Sequence, residues 1–166
     1  QLGGVLNVLL EVGVDVIADG DWITIRGAAP GSVAYSATEI ETAAYAGLAT
    51  DLQPPTGVLL TQARGTSNIH ETIYEDRLEW LTDLGAMGAQ AEIGDAHHAV
   101  ITGPARLHSA EVEVGDLRAG ASLILGALAA EGRSTIHGVH HVRRGYEGIE
   151  GKLLELGAGI EEEPEA

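Results

Sequence analysis

Cysteine is absent from this chain of 166 residues, which excludes a disulfide framework, a thiolate metal site and a cysteine nucleophile within it. Phenylalanine is absent as well, and with only two Trp and four Tyr the core has to be built from Leu, Val, Ile and Ala, with many of the 23 glycines at turns. Positive charge is scarce. Nine Lys plus Arg stand against 25 Asp plus Glu, a formal net charge of −16, and a phosphate backbone needs a basic face that this balance does not supply, so nucleic acid is excluded as a partner. Eight of the nine cations are Arg, whose planar fork pairs bidentately with phosphate or carboxylate, so a few converging in a cleft would still hold a small anion. Long hydrophobic runs are missing too. The longest, Ala119 to Ala130, is too short to span a bilayer, and no basic-then-apolar leader precedes it, so we expect a cytoplasmic protein with no membrane partner. A composition of 45% hydrophobic and 20% charged residues suits a folded body, one domain by default.

What is present repeats. Thr50-Asp51-Leu52-Gln53 lies over Gly115-Asp116-Leu117-Arg118, Gly65-Thr66-Ser67-Asn68-Ile69-His70 lies over Gly132-Arg133-Ser134-Thr135-Ile136-His137, and Arg77 falls on Arg144. Val12-Gly13-Val14 likewise aligns with Met87-Gly88-Ala89, and Ile25-Arg26-Gly27 with Ile101-Thr102-Gly103. A period of about 65 to 67 residues exceeds that of common solenoids and means one supersecondary unit used more than once. The first helix-strand-strand element matches only the second half of that unit, and the chain opens on Gln1 rather than Met; both point to a piece of something longer.

Hydrophobic spacing predicts a helix through Val5, Leu6, Leu9, Leu10 and Val12 closed by Gly13, then a strand pair at 14–17 and 22–25 around Asp19-Gly20-Asp21. Residues 28–50 read as a short strand and a long connection. A helix is expected over 51–64, a strand at 67–73, a helix over 77–87 and strands at 89–93 and 98–102. The second copy reads as a strand at 110–114, a helix over 116–131, a strand at 133–139, a helix over 144–156 and a last strand at 158–161. Alternation of this kind gives an α/β or α+β layered domain. The Glu161-Glu162-Glu163-Pro164-Glu165 tail reads as a frayed, solvated end.

Asp51 and Asp116 each stand at an expected helix start, where a carboxylate caps free N–H groups for about 0.5 to 2 kcal/mol. Arg77 and Arg144 stand at the start of the following helices, a poor place for a cation, so each should serve a partner: Glu75, Asp76 or Glu147 as surface ion pairs, or an anion shared with the helix N–H groups. Spacing alone leaves both open. His137, His140 and His141 lie close in sequence, but the adjacent pairs His97-His98 and His140-His141 would point to opposite faces in strands, so no metal site is expected.

The motifs Thr50-Asp51-Leu52-Gln53, Glu71-Thr72-Ile73-Tyr74-Glu75-Asp76-Arg77, Asp116-Leu117-Arg118-Ala119-Gly120-Ala121-Ser122-Leu123 and Arg144-Gly145-Tyr146-Glu147, with Lys152-Leu153 and Leu156-Gly157-Ala158, resemble in order those of the UDP-N-acetylglucosamine 1-carboxyvinyltransferase family of enolpyruvyl transferases. That resemblance implies repeated small α/β units of an inside-out barrel, three to a domain, with an active site between two domains. The chain would then be an incomplete C-terminal domain: two units at roughly 28–93 and 94–162 after a partial unit at 1–27.

The same resemblance implies transfer of the enolpyruvyl group from phosphoenolpyruvate to UDP-N-acetylglucosamine, the opening step of peptidoglycan precursor synthesis, with no cofactor. Asp51 would bind the sugar hydroxyl and take its proton, and Ile73 would contact the nucleotide sugar through its backbone. Arg77 and Arg144 would hold the phosphate and carboxylate of phosphoenolpyruvate, with Arg118 nearby and Asp116 across the reacting carbon. Departures from the family pattern are Arg143 where Asp is usual, Asp76 where Asn is usual, and Ala46 and Ala49 where prolines are usual. The family's essential Lys, its Cys-bearing loop and another Arg lie outside this chain, so it is expected to need the missing N-terminal part for catalysis. Two other readings stay open: a 3-phosphoshikimate 1-carboxyvinyltransferase, which the motifs fit less well, and a non-catalytic binding module of the same fold.

Overall fold

In the computed structural model, which describes residues 2–29 and 35–163, helices and strands alternate as the sequence pattern requires. Residues 30–34 of the long connection and 164–166 of the tail lie outside the described residues. Helix α1 (Gly3–Val12) leads into a hairpin of β1 (Asp15–Asp19) and β2 (Trp22–Arg26). Strand β3 (Glu39–Glu41), a 3-10 turn at Thr50–Leu52, α2 (Gln53–Leu60) and β4 (Gly65–His70) then form a parallel βαβ crossover. Next come α3 (Trp80–Ala86), β5 (Gln90–Ile93) and β6 (His98–Gly103), with β6 antiparallel to both β4 and β5, giving a four-stranded sheet ordered β3-β4-β6-β5. A second parallel crossover follows, from β7 (Glu111–Glu113) through α4 (Leu117–Ala129) to β8 (Thr135–His137), and two short helices, α5 (His140–Arg143) and α6 (Ile149–Glu155), close the chain.

The repeat is written into the backbone hydrogen bonds. Arg64 N–H donates to Tyr35 O and Ala37 N–H to Arg64 O; in the second copy Glu131 N–H donates to Leu107 O and Ser109 N–H to Glu131 O. Even a side-chain bond recurs: the Ser67 hydroxyl accepts from Thr38 N–H at 3.3 Å, and Ser134 from Ala110 N–H at 3.2 Å. Gly65 at φ 111° opens β4 and Gly132 at φ 95° stands three residues before β8, both in a region that L side chains rarely adopt. The other aligned pair, Gly13 and Gly88, shares φ 96°, and each terminates a helix.

The core lies on the helix-covered faces of the strands, with Ile69, Ile101, Leu60, Leu78, Leu81, Leu84, Met87 and Leu123 fully enclosed. Strand alternation places Ser67 and Ile69 of β4 inward and Asn68 outward. α4 carries small residues where it packs: a Cβ on Gly120 would lie 2.5 Å from the methyls of Val114 and Val142, and one on Gly126 would lie 2.8 Å from Leu84. Among the described residues no helix is long and apolar enough to cross a membrane.

Several expected boundaries are corrected. The helix expected over 51–64 is a 3-10 turn followed by α2, because Pro54 and Pro55 sit in its first turn; its end tightens into i→i−3 bonds, with the Thr61 carbonyl taken by Ala105 N–H. The helix expected from Arg77 starts at Trp80, since Asp76 at φ 54° holds the preceding turn out of helical geometry. Arg144 does not open a helix either. It caps the C-terminus of α5, and Gly148 at φ 58° precedes α6. Residues 158–161 form no strand, and in the described part of the acidic end Glu161 pairs with Arg133 and Glu162 accepts from Arg143 at 2.7 Å.

Two substitutions separate backbone conformation from helix propensity. Gly65→Ala should cost at least about 1 kcal/mol through its positive φ, whereas Gly151→Ala, in α6 with open space around it, should add about 0.5 to 1 kcal/mol. Urea melts of both variants read the two opposite signs.

Candidate active site

The ends of the two crossovers meet where the 3-10 turn approaches the start of α4. Asp116 is the N-cap of α4, its Oδ1 accepting from Arg118 N–H at 2.9 Å and Ala119 N–H at 3.1 Å, as the helix-start reading expects. Asp51 behaves differently: Ala49 is the cap of its turn, and the Asp51 side chain makes no capping bond. Instead its Oδ1 accepts from Arg118 Nε, 67 residues away, and from Arg77 Nη1 at 3.3 Å. Both bonds fall on one oxygen. Oδ2 accepts nothing among the described residues, and the side chain is 56% exposed, so one carboxylate oxygen faces solvent.

Arg77 is held from three sides. Its guanidinium donates to the Thr50 hydroxyl at 2.9 Å, pairs with Asp51, and lies 4.4 Å from the centre of the Tyr74 ring. Arg118 also stands 3.7 Å from Asp116, completing a line of alternating charge, Arg77, Asp51, Arg118 and Asp116. The expected pairings of Arg77 with Glu75 or Asp76 are therefore replaced by Asp51. Arg144 stays apart: it is exposed, and its guanidinium forms no ion pair or hydrogen bond among the described residues, with Glu147 or otherwise. The carbonyl of Ile73 is likewise without a hydrogen bond among the described residues, while its N–H is committed to Glu71.

Electrostatics follow the geometry. Burial pushes the Asp116 carboxyl up, but the Ala119 and Arg118 amides and the Arg118 and Arg77 guanidiniums outweigh it and hold the group below the usual carboxylate range. Its bond to Asp51 holds the Arg118 guanidinium above its ordinary value. Burial also raises the Tyr146 phenol, helped by the nearby charges of Asp51 and Asp116 against that of Arg118.

Three residues of this site carry no role in the sequence reading: Tyr146, Thr50 and Glu71. All sit inside quoted motifs, beside the residues that were singled out. Burial is what marks them, and a single sequence does not display it.

The departures find separate accommodations. Arg143 turns to Glu150 at 2.7 Å and to Glu162 rather than to the charge line. Asp76 adopts a left-handed φ that Asp and Asn tolerate better than other side chains, so the exchange leaves the turn intact. His140 and His141 share the short α5 with ring centres 4.1 Å apart rather than alternating in a strand, and among the described residues no His, Asp or Glu group could hold a metal ion.

Removing the cap tests the line. Asp116→Ala should lose about 1 kcal/mol at neutral pH. Because the folded carboxyl titrates below its unfolded value of about 3.9, its charge contributes stability above that value, and this is lost as pH falls through the folded one. Asp116→Asn, which keeps a cap, should therefore differ from the parent at pH 7 and converge with it in acid. Urea melts in steps from pH 7 down into acid measure both.

Comparison with known proteins places the fold. The EPSP synthase (3-phosphoshikimate 1-carboxyvinyltransferase) family profile matches residues 2–153. A UDP-N-acetylglucosamine 1-carboxyvinyltransferase 3 from Symbiobacterium thermophilum is 42% identical over 159 residues, which are 96% of this chain and 36% of that protein. A UDP-N-acetylglucosamine 1-carboxyvinyltransferase 2 from Listeria monocytogenes is 43% identical over 161 residues, covering 96% and 37%. The crystal structure of the enolpyruvyl transferase NikO from Streptomyces tendae superposes with a TM-score of 0.86 at 31% identity, covering 96% of this chain and 36% of that one. The chain thus spans little more than a third of the length of these relatives, and the fold is that of an enolpyruvyl transferase.

Proposed function

Because the chain belongs to the EPSP synthase family of enolpyruvyl transferases, we propose that it forms part of an enzyme that moves the enolpyruvyl group of phosphoenolpyruvate to the 3-hydroxyl of UDP-N-acetylglucosamine, supplying peptidoglycan precursors in the cytoplasm. Within it, residues 28–93 and 94–162 act as two repeated units after a partial unit at 1–27. The remainder of a longer polypeptide supplies the missing catalytic groups, and the chain by itself does not turn over.

The observation that carries this reading is Asp51 Oδ2, which accepts nothing among the described residues, on a carboxylate whose other oxygen is anchored by two guanidiniums. A carboxylate fixed in this way can accept the proton of the sugar hydroxyl as that oxygen bonds to C2 of phosphoenolpyruvate, while a proton adds to C3. Phosphate then leaves C2 of the tetrahedral adduct, and loss of a proton from C3 restores the double bond. Asp116 stands across the reacting carbon. Arg77 and Arg144, with Arg118 nearby, hold the carboxylate and the departing phosphate, whose charge needs fixed cations as it develops. Arg77 and Arg118 are already oriented by Asp51, whereas Arg144 is exposed and free to swing toward an anion.

A backbone-amide NMR titration of the chain with UDP-N-acetylglucosamine and then phosphoenolpyruvate tests the proposal. Shifts should concentrate at Asp51 and from Ile73 to Arg77. A response to shikimate 3-phosphate instead would reject the nucleotide-sugar assignment, and an absence of shifts at millimolar ligand would mean that recognition requires the rest of the polypeptide or that the chain is a module that no longer binds. In the full-length enzyme, Asp51→Asn should lower turnover by about 10²- to 10⁴-fold with little change in nucleotide-sugar affinity.

A further inference from the structure

Glu71 is the one acidic side chain among the described residues that is fully enclosed, and nothing in the reaction above uses it. A buried carboxylate is costly unless donors surround it. Here four do. Its Oε1 accepts from the Thr42 hydroxyl at 2.9 Å, Ile73 N–H at 2.9 Å and Tyr74 N–H at 3.3 Å, and its Oε2 accepts from the Thr50 hydroxyl at 2.8 Å. Its backbone is fixed as well, the N–H donating to His97 O at 2.7 Å and the carbonyl lying 2.7 Å from His97 Nδ1.

These bonds have directional consequences. The Thr50 hydroxyl has one hydrogen and donates it to Glu71, which leaves its lone pairs for Arg77 Nη1, donating to them at 2.9 Å. Thr50 is also the residue before Asp51. On the other side, Tyr74 N–H points at Glu71, and in a trans peptide the carbonyl of the same unit, that of Ile73, points the opposite way. One buried group thereby sets the orientation of Arg77, the turn bearing Asp51 and the Ile73 carbonyl.

We propose that Glu71 is a positioning residue that locks the Asp51 turn, the Arg77 guanidinium and the Ile73 carbonyl into one arrangement before substrate arrives. The claim rests on the transferase reading for its purpose but not for its geometry. Glu71→Gln preserves shape yet must set an amide N–H against either the Thr50 hydroxyl or the Ile73 and Tyr74 amides, which are donors themselves. Thr50→Val leaves three of the four bonds in place and cuts the link to Arg77.

The decisive reading is taken without substrate, by NMR of the full chain. Glu71→Gln should move the amide protons of Ile73 and Tyr74 together with the side-chain signals of Asp51 and Arg77, and Thr50→Val should move only the Asp51 and Arg77 signals. A folded Glu71→Gln variant in which the Ile73, Tyr74 and Arg77 signals stay at parental positions overturns the proposal. If that variant does not fold, Thr50→Val decides, and unmoved Arg77 signals overturn it equally. With ligand, Glu71→Gln should weaken UDP-N-acetylglucosamine about tenfold, the expected loss for a charge-assisted bond network. Failure of the parent chain to bind the nucleotide sugar would bear on the transferase reading and its need for the rest of the polypeptide, not on positioning, because the substrate-free shifts test positioning separately.

Discussion

Close approach of α4 to its neighbours is the constraint on which the rest depends. Gly120 lets the helix lie against Val114 and Val142, and Gly126 lets it lie against Leu84; any side chain at either position would have to displace packed methyl groups. With α4 at that depth, its N-terminus comes beside the 3-10 turn of the first crossover. Arg118, one residue inside the helix, then reaches Asp51 across 67 residues of sequence. A helix lying farther out would leave both crossovers folded and the charge line broken.

The charge line shows how a strongly acidic chain keeps two cations together at one edge, balanced by two carboxylates. Two Arg side chains share one carboxylate oxygen, and Asp116 flanks one of them, so each guanidinium keeps donors beyond those in use. Such exposed pairs contribute little stability in water, so their value lies in orientation. Beneath them the Glu71 carboxylate supplies what exposed pairs do not, a buried anchor whose bonds are shielded from solvent and salt.

Much was legible in the sequence because local physics dictates it. Gly65 aligns with Gly132 and Gly13 with Gly88, and each pair shares a positive φ, the second at matching helix ends. Asp116 caps α4 as its place before an apolar run predicts. Arg77 and Arg144 misled, since apolar spacing runs on through residues whose backbone is turned out of the helix by Asp76 and by Gly148. Asp51 misled as well. It looks like Asp116 in sequence but has two cations within reach, and those compete with the free amides for its oxygen. The acidic tail, expected to fray, finds Arg133 and Arg143 for the same reason.

By itself the sequence determined the alternation of helix and strand, the repeat and the ring of residue types around the site, because periodicity, glycine positions and capping act over a few residues. The order of motifs carried the family. Only the tertiary structure decided which charges meet, that Asp51 answers to Arg118 rather than to its own helix, that Arg144 is exposed, and that Glu71 is buried beneath them. Pairing and burial depend on contacts tens of residues apart, set by how closely α4 packs, and no local pattern encodes that distance.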